Sequence, residues 1–138
     1  MTLTYQLVSK KIEHSTSWQQ KYREIMLLGK TLPPLADILK TDDALVQGCE
    51  SKVWMFVEFD LTENALVVIG DSDTRIVKGL LALILALYNG LTPEEVLSVN
   101  AYEELEKLGL ISHLSASRGN GINAMVEKIQ TLAKQKAR

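Results

Sequence analysis

The chain is poor in the residues that usually announce a chemistry. It holds one cysteine, so an internal disulfide is excluded, and a reducing location is the default for such a chain. The opening MTLTYQLVSKKIEHS has no apolar run ahead of its lysines, so a secretory leader is not expected and the expected location is cytoplasmic. Histidine is almost as scarce. His14 and His113 stand far apart, and neither C-x-x-C nor H-x-x-x-H spacing occurs. A transition-metal centre would need ligands converging from distant segments. A single thiolate also falls short of an iron–sulfur site, so no cofactor is expected. Each histidine reads as a surface or capping residue, His113 at the start of the last helix. The phosphate-cradling patterns G-x-x-x-x-G-K and G-x-G-x-x-G are missing, as is the G-x-S-x-G nucleophile turn. A net charge of −2 gives no excess of positive charge for nucleic acid. The basic end, Lys134, Lys136 and Arg138, reads as the complement of a helix dipole. The most apolar stretch, IVKGLLALILALYNGL, is broken by Lys78 and Gly79. Its apolar part is shorter than the roughly 20 residues of a membrane crossing. It reads as a buried central helix, and no membrane partner is expected.

What remains is an ordinary globular composition, 46% hydrophobic and 23% charged over 138 residues. That suits one domain, residues 1–138, large enough to bury a core. The first third carries helical spacing. Ser17 and Gln20 form a capping-box pair ahead of Trp18, Tyr22, Ile25 and Met26. Gly29 is read as the C-cap, and Pro33-Pro34 forbids the helix to resume. Val53, Met55, Val57 and Phe59 then alternate with more polar neighbours, a period of two. LTEN supplies a turn and ALVVIG a second strand, which predicts an antiparallel hairpin. DALVQG adds a short third strand. Beyond Gly70 the pattern is helical. Ser72 or Asp73 is the expected cap of the central helix, and Gly90 its end. Thr92-Pro93 with Glu95, and Asn100 with Glu103 ahead of Gly109, mark two further helix starts. Ile122, Met125, Val126, Ile129 and Leu132 share one face of the last helix. Helices, then strands, then helices make an α+β fold, a small antiparallel sheet of about three strands packed against several helices.

The lone thiol, Cys49, lies in LVQGCESKVW. Gly48 before it allows a tight turn and close approach by another molecule. Gln47, Glu50 and Ser51 are polar, so this flank is a loop or a strand edge rather than core. Lys52 is the one nearby cation. From these residues alone a reactive and an inert thiol stand about even, since only the thiolate attacks and an ordinary thiol is mostly protonated near neutrality.

Four blocks in order, VQGCESKVW, GDSDTRIVKGLLALI, HLSASRGNGINAM and, more weakly, KYREIMLLGKTLPPL, closely resemble the SufE family with its CsdE relatives. The resemblance runs along nearly the whole chain. It implies that Cys49 takes sulfane sulfur from the persulfide of a pyridoxal-phosphate-dependent cysteine desulfurase, stimulating that enzyme. The sulfur then passes to an iron–sulfur cluster assembly scaffold or a related acceptor. It also implies a thiol tucked against apolar side chains at a loop tip, with Gly48 as hinge. The aspartate of G-D-S-D and the arginine of the H-L-x-x-S-R block correspond to Asp73 and Arg118. Each either holds or releases the cysteine loop, or contacts the desulfurase, or plays a local part: Asp73 as a helix cap, Arg118 as the partner of a carboxylate. Trp54 reads as a packing residue. The competing reading is a non-catalytic adaptor that binds a partner through its helical surface, with Cys49 structural.

Overall fold

A computed structural model describes residues 3–48 and 51–137. Two helices open the chain, α1 (Leu3–His14) and α2 (Trp18–Gly29). The hairpin follows as β1 (Val53–Asp60) and β2 (Ala65–Ser72). Then come α3 (Arg75–Tyr88), α4 (Pro93–Ser98), α5 (Ala101–Lys107) and α6 (Ala116–Lys136). The α+β order expected from the sequence holds, with a sheet of two antiparallel strands. The third strand is reduced to one bridge between Leu45 and Trp54, because residues 42–44 close into a 3-10 turn just before it.

The apolar run becomes α3, the centre of the molecule, and of its 14 residues all but Arg75, Lys78 and Ala86 are buried. The inner face of the hairpin (Val53, Met55, Leu66, Val68) lies in the same core. Each fully buried Leu or Ile there contributes about 1.5–3 kcal/mol. The second helix crosses the third at two glycines. A Cβ on Gly29 would stand 2.8 Å from the Gly79 nitrogen, and one on Gly79 would overlap the Ile25 carbonyl. This corrects the reading of Gly29 as a C-cap. It is the last helical residue, Lys30 takes the cap position in right-handed geometry, and the glycine is there for helix-to-helix approach.

Local capping follows the sequence closely elsewhere. Thr92 and Glu95 form a reciprocal capping box with Pro93 in the first turn, and the Asn100 side chain accepts from Glu103 N–H. Ser17 accepts from Gln20 N–H, while the Gln20 side chain accepts from Thr16 N–H rather than closing on Ser17. His113 does not cap α6; Ser115 does, and the imidazole stacks on Trp18 with ring centroids 4.5 Å apart. No helix is long and apolar enough to cross a membrane.

Candidate functional site

Val46 and Val53, on either side of residues 47–52, are joined by a backbone bond. Val46 N–H donates to the Val53 carbonyl at 2.8 Å, directly beside the Leu45–Trp54 bridge. Gln47 and Gly48 are exposed, and Gly48 has φ +95°, a conformation that side chains with a Cβ rarely adopt. Among the described residues, the nearest neighbour of a Cβ placed there would be the Ala124 methyl at 3.8 Å, so it is the backbone angle that favours glycine. Cys49 and Glu50, both expected at the site, lie outside the described residues.

The far end of the segment is held from the start of α3. Lys52 N–H donates to Asp73 Oδ1 at 3.0 Å. The Lys52 carbonyl accepts from the Ser72 hydroxyl at 2.8 Å and from Asp73 N–H at 3.2 Å. The Ser51 and Thr74 hydroxyls are hydrogen-bonded at 2.9 Å, and the Thr74 hydroxyl also donates to Asp73 Oδ1 at 3.1 Å. Asp73 is therefore not the cap of α3. Thr74 occupies that position and makes no side-chain cap bond, while Ser72 belongs to the strand. The carboxylate is turned instead onto the segment that contains the cysteine. It is solvent-exposed, so water competes for each of its bonds.

Arg118 comes to the same region from the first turn of α6. Its N–H is capped by Ser115 Oγ at 3.2 Å. Among the described residues it enters no salt bridge. Together with Ser51 and Ser117 it rims a cavity of about 20 Å³ whose floor is Val77, Leu80, Ile122 and Met125. That volume admits about one water-sized group. A larger cavity of about 700 Å³ lies between α4, α5 and α6, and no acidic, basic or sulfur-bearing side chain lines it. Among the described residues no cluster of His, Cys, Asp and Glu could hold a metal ion.

Sequence reasoning singled out Asp73 of G-D-S-D and passed over Asp71. Asp71 is the buried member, 4% exposed. It accepts from Leu35 N–H at 3.0 Å and Ser72 N–H at 2.8 Å, and pairs with Lys78 at 3.2 Å and Lys40 at 3.8 Å. Burial alone would raise its pKa. The two backbone donors and the Lys78 ammonium outweigh that and hold it below the usual carboxylate value. Lys40 also lies over the Trp54 ring, 5.1 Å from its centroid. Trp54 packs with Leu35 and Ala44, the packing role expected of it. Strand parity places Asp71 opposite Trp54 on the face away from the core, and the segment after Pro33-Pro34 is what covers it there.

A family model described as "SufE: Fe-S metabolism associated domain" matches residues 6–133. The chain belongs to the SufE family. Among its curated SufE-type relatives is an uncharacterized SufE-like protein of Rhizobium etli, 40% identical over 87% of this chain and 82% of that protein. Another is the sulfur acceptor protein CsdE of Escherichia coli, 38% identical over 97% of this chain and 90% of CsdE. In structure the chain is similar to a hypothetical protein of Thermus thermophilus solved in solution, with a TM-score of 0.75 and 14% identity over 96% and 94% of the two chains. At that identity the likeness speaks for the fold.

Proposed function

We propose that this protein is a persulfide carrier working with a cysteine desulfurase. In the proposed reaction the Cys49 thiolate attacks the terminal sulfur of the desulfurase persulfide. A new S–S bond forms on Cys49, the old S–S bond breaks, and the desulfurase cysteine leaves as thiolate. No electron is gained or lost overall, and the proton lost by Cys49 is available to the leaving thiolate. The same exchange, run toward an iron–sulfur assembly scaffold or another acceptor thiol, delivers the sulfur. A carrier needs one cysteine and no second, since a neighbouring thiol would release the sulfur as sulfide and close a disulfide.

The observation that carries this reading is the pair of anchors around the sole cysteine. A positive-φ glycine precedes it, and side-chain bonds, an exposed one from Asp73 and a part-buried one from Thr74, hold the residues after it. Such bonds are individually weak and can be exchanged for water or for a partner's groups. Gly48 is the proposed hinge, with Gln47, Glu50 and Ser51 as the moving segment. Asp73 holds the closed position. The Arg118 guanidinium, outside every salt bridge among the described residues, is positioned to stabilise a thiolate or persulfide beside the small cavity, or to meet a carboxylate of the desulfurase.

Incubation with a cysteine desulfurase and free cysteine, followed by intact mass measurement, tests the proposal. Wild type should gain the mass of one sulfur atom, Cys49→Ser should gain none, and Cys49→Ala should fail to stimulate the desulfurase. A Cys49→Ala protein that still stimulates fully would identify an adaptor instead.

A further inference from the structure

The two edges of the hairpin are treated differently. The outer edge of β2 is closed. Leu66 N–H donates to Leu91 O at 2.8 Å and Leu66 O accepts from Gly90 N–H at 2.9 Å. The Asn89 side-chain amide then imitates a strand, accepting from Val68 N–H at 2.7 Å and donating to Val68 O at 3.1 Å. The outer edge of β1 is closed only at its beginning. Val46 N–H reaches Val53 O, and the Lys128 ammonium reaches Met55 O at 2.7 Å. Bonds alternate sides along a strand in an antiparallel pair. Val57 and Phe59 therefore turn their N–H and C=O to this same edge, and among the described residues nothing hydrogen-bonds them there.

The face beside that edge is apolar and acidic. Phe56, Val67, Ile69, Leu39 and Glu58 line one shallow groove. Val67 and Ile69 are 47% and 48% exposed. Asp60, whose Oδ1 accepts from Thr62 N–H and Glu63 N–H, lies on the same strand face as Glu58. The exposed Asp37 carboxylate, in the same short turn as Leu39, is 3.6 Å from the Lys40 ammonium, so the unoffset charge is that of Glu58 and Asp60. A second copy is a poor occupant. A twofold pairing that satisfied Val57 and Phe59 on both copies would set Glu58 opposite Glu58, and like charges directly opposite destabilise a sheet.

We propose that the open edge of β1 docks an extended segment of another protein, which adds as a third strand. It carries Lys or Arg opposite Glu58 and Asp60 and an apolar residue beside Phe56. Main-chain bonds to Val57 and Phe59 supply the direction, and the face supplies the selectivity. Val57 and Phe59 lie beyond the Val46–Val53 bond on this edge, and the proposal gives Cys49 no part in docking.

The probe is a short capped peptide alternating lysine and valine, added to the intact protein. Binding is followed by fluorescence anisotropy and by amide hydrogen exchange. Saturable binding with slowed exchange at Val57 and Phe59 is expected. N-methylation of the alternate peptide nitrogens facing the edge should weaken binding roughly tenfold, the scale of one to two lost hydrogen bonds. Glu58→Lys, checked for an unchanged melting curve, should weaken it about fivefold, the scale of one cross-strand charge pair. Cys49→Ser should bind as wild type does. No binding, equal binding of the N-methylated peptide, or equal binding by Glu58→Lys would overturn the proposal. So would concentration-dependent protection of Val57 and Phe59 without peptide, which would make the occupant a second copy.

Discussion

Asp71 and Asp73 sit two residues apart and do opposite work. Asp71 is buried, takes two backbone N–H bonds and pairs with two lysines, so it fixes the loop after Pro33-Pro34 against the sheet. Asp73 is exposed and grips the end of the cysteine segment through the Lys52 N–H. Both fasten a loop to the hairpin. A buried, over-determined carboxylate makes a permanent joint, because breaking it strands polar groups away from water. An exposed one makes a joint that water can replace at small cost. The loop that needs only to be in place has the first kind, and the loop proposed to move has the second.

Removing the permanent joint should cost most. Asp71→Ala leaves the Leu35 N–H and the Lys78 ammonium without their partner, and should lower unfolding free energy by about 3 kcal/mol in urea. The same group should give a pH signature. Its pKa lies below the unfolded value, so the unfolded chain binds the extra proton. Its contribution should be complete above about pH 4, the unfolded aspartate value, and should be lost as pH falls through the folded value. Asp71→Asn should flatten that acid limb of the stability curve. An unchanged limb would mean that other carboxylates set it.

Gly48→Val comes next. The left-handed φ at this position should cost about 1–2 kcal/mol. Sulfur transfer should fall further than stability does, and equal losses in the two would end the hinge proposal. The smallest effect on stability is expected from Asp73→Asn, about 0.5 kcal/mol for weakening an exposed bond. Amide exchange at Ser51 and Lys52 should nonetheless quicken, while exchange at Leu35 stays as it was. If Asp73→Asn destabilised as much as Asp71→Ala, the contrast between the two joints would vanish.

Local chemistry made much of this molecule legible in advance. Thr92-Pro93-Glu95 and Asn100-Glu103 start helices because every group in those caps lies within four residues of its partner. The hairpin followed from a period of two, and the central helix from an apolar run too short to cross a membrane. What stayed hidden depends on partners far away in the chain. Gly29 was legible as an ending, but Gly79, fifty positions on, supplies its reason. His113 meets Trp18 across the fold. Local spacing could not say which aspartate of G-D-S-D would be buried, because Leu35 and Lys40 decide it. The third strand shrank to a bridge because the 3-10 turn at Asp42–Ala44 takes up the residues that would have extended it. At the site, the motif pointed to the cysteine segment, and the fold added Thr74 and Ser72 as its fasteners.

The bare crossing of α2 over α3 also bears on how this protein can drift. Where Ile25 packs straight onto the backbone of residue 79 there is no intermediate spacing to explore, so even alanine there would force the axes apart or distort the Ile25 turn. In a randomised library sorted only for folding, residue 79 should return as glycine while the sheet's outer positions scatter. Laboratory evolution of new docking partners could then rewrite the outer face of the hairpin, while this pair of glycines, like Gly70 against the Trp54 carbonyl, leaves no room to experiment.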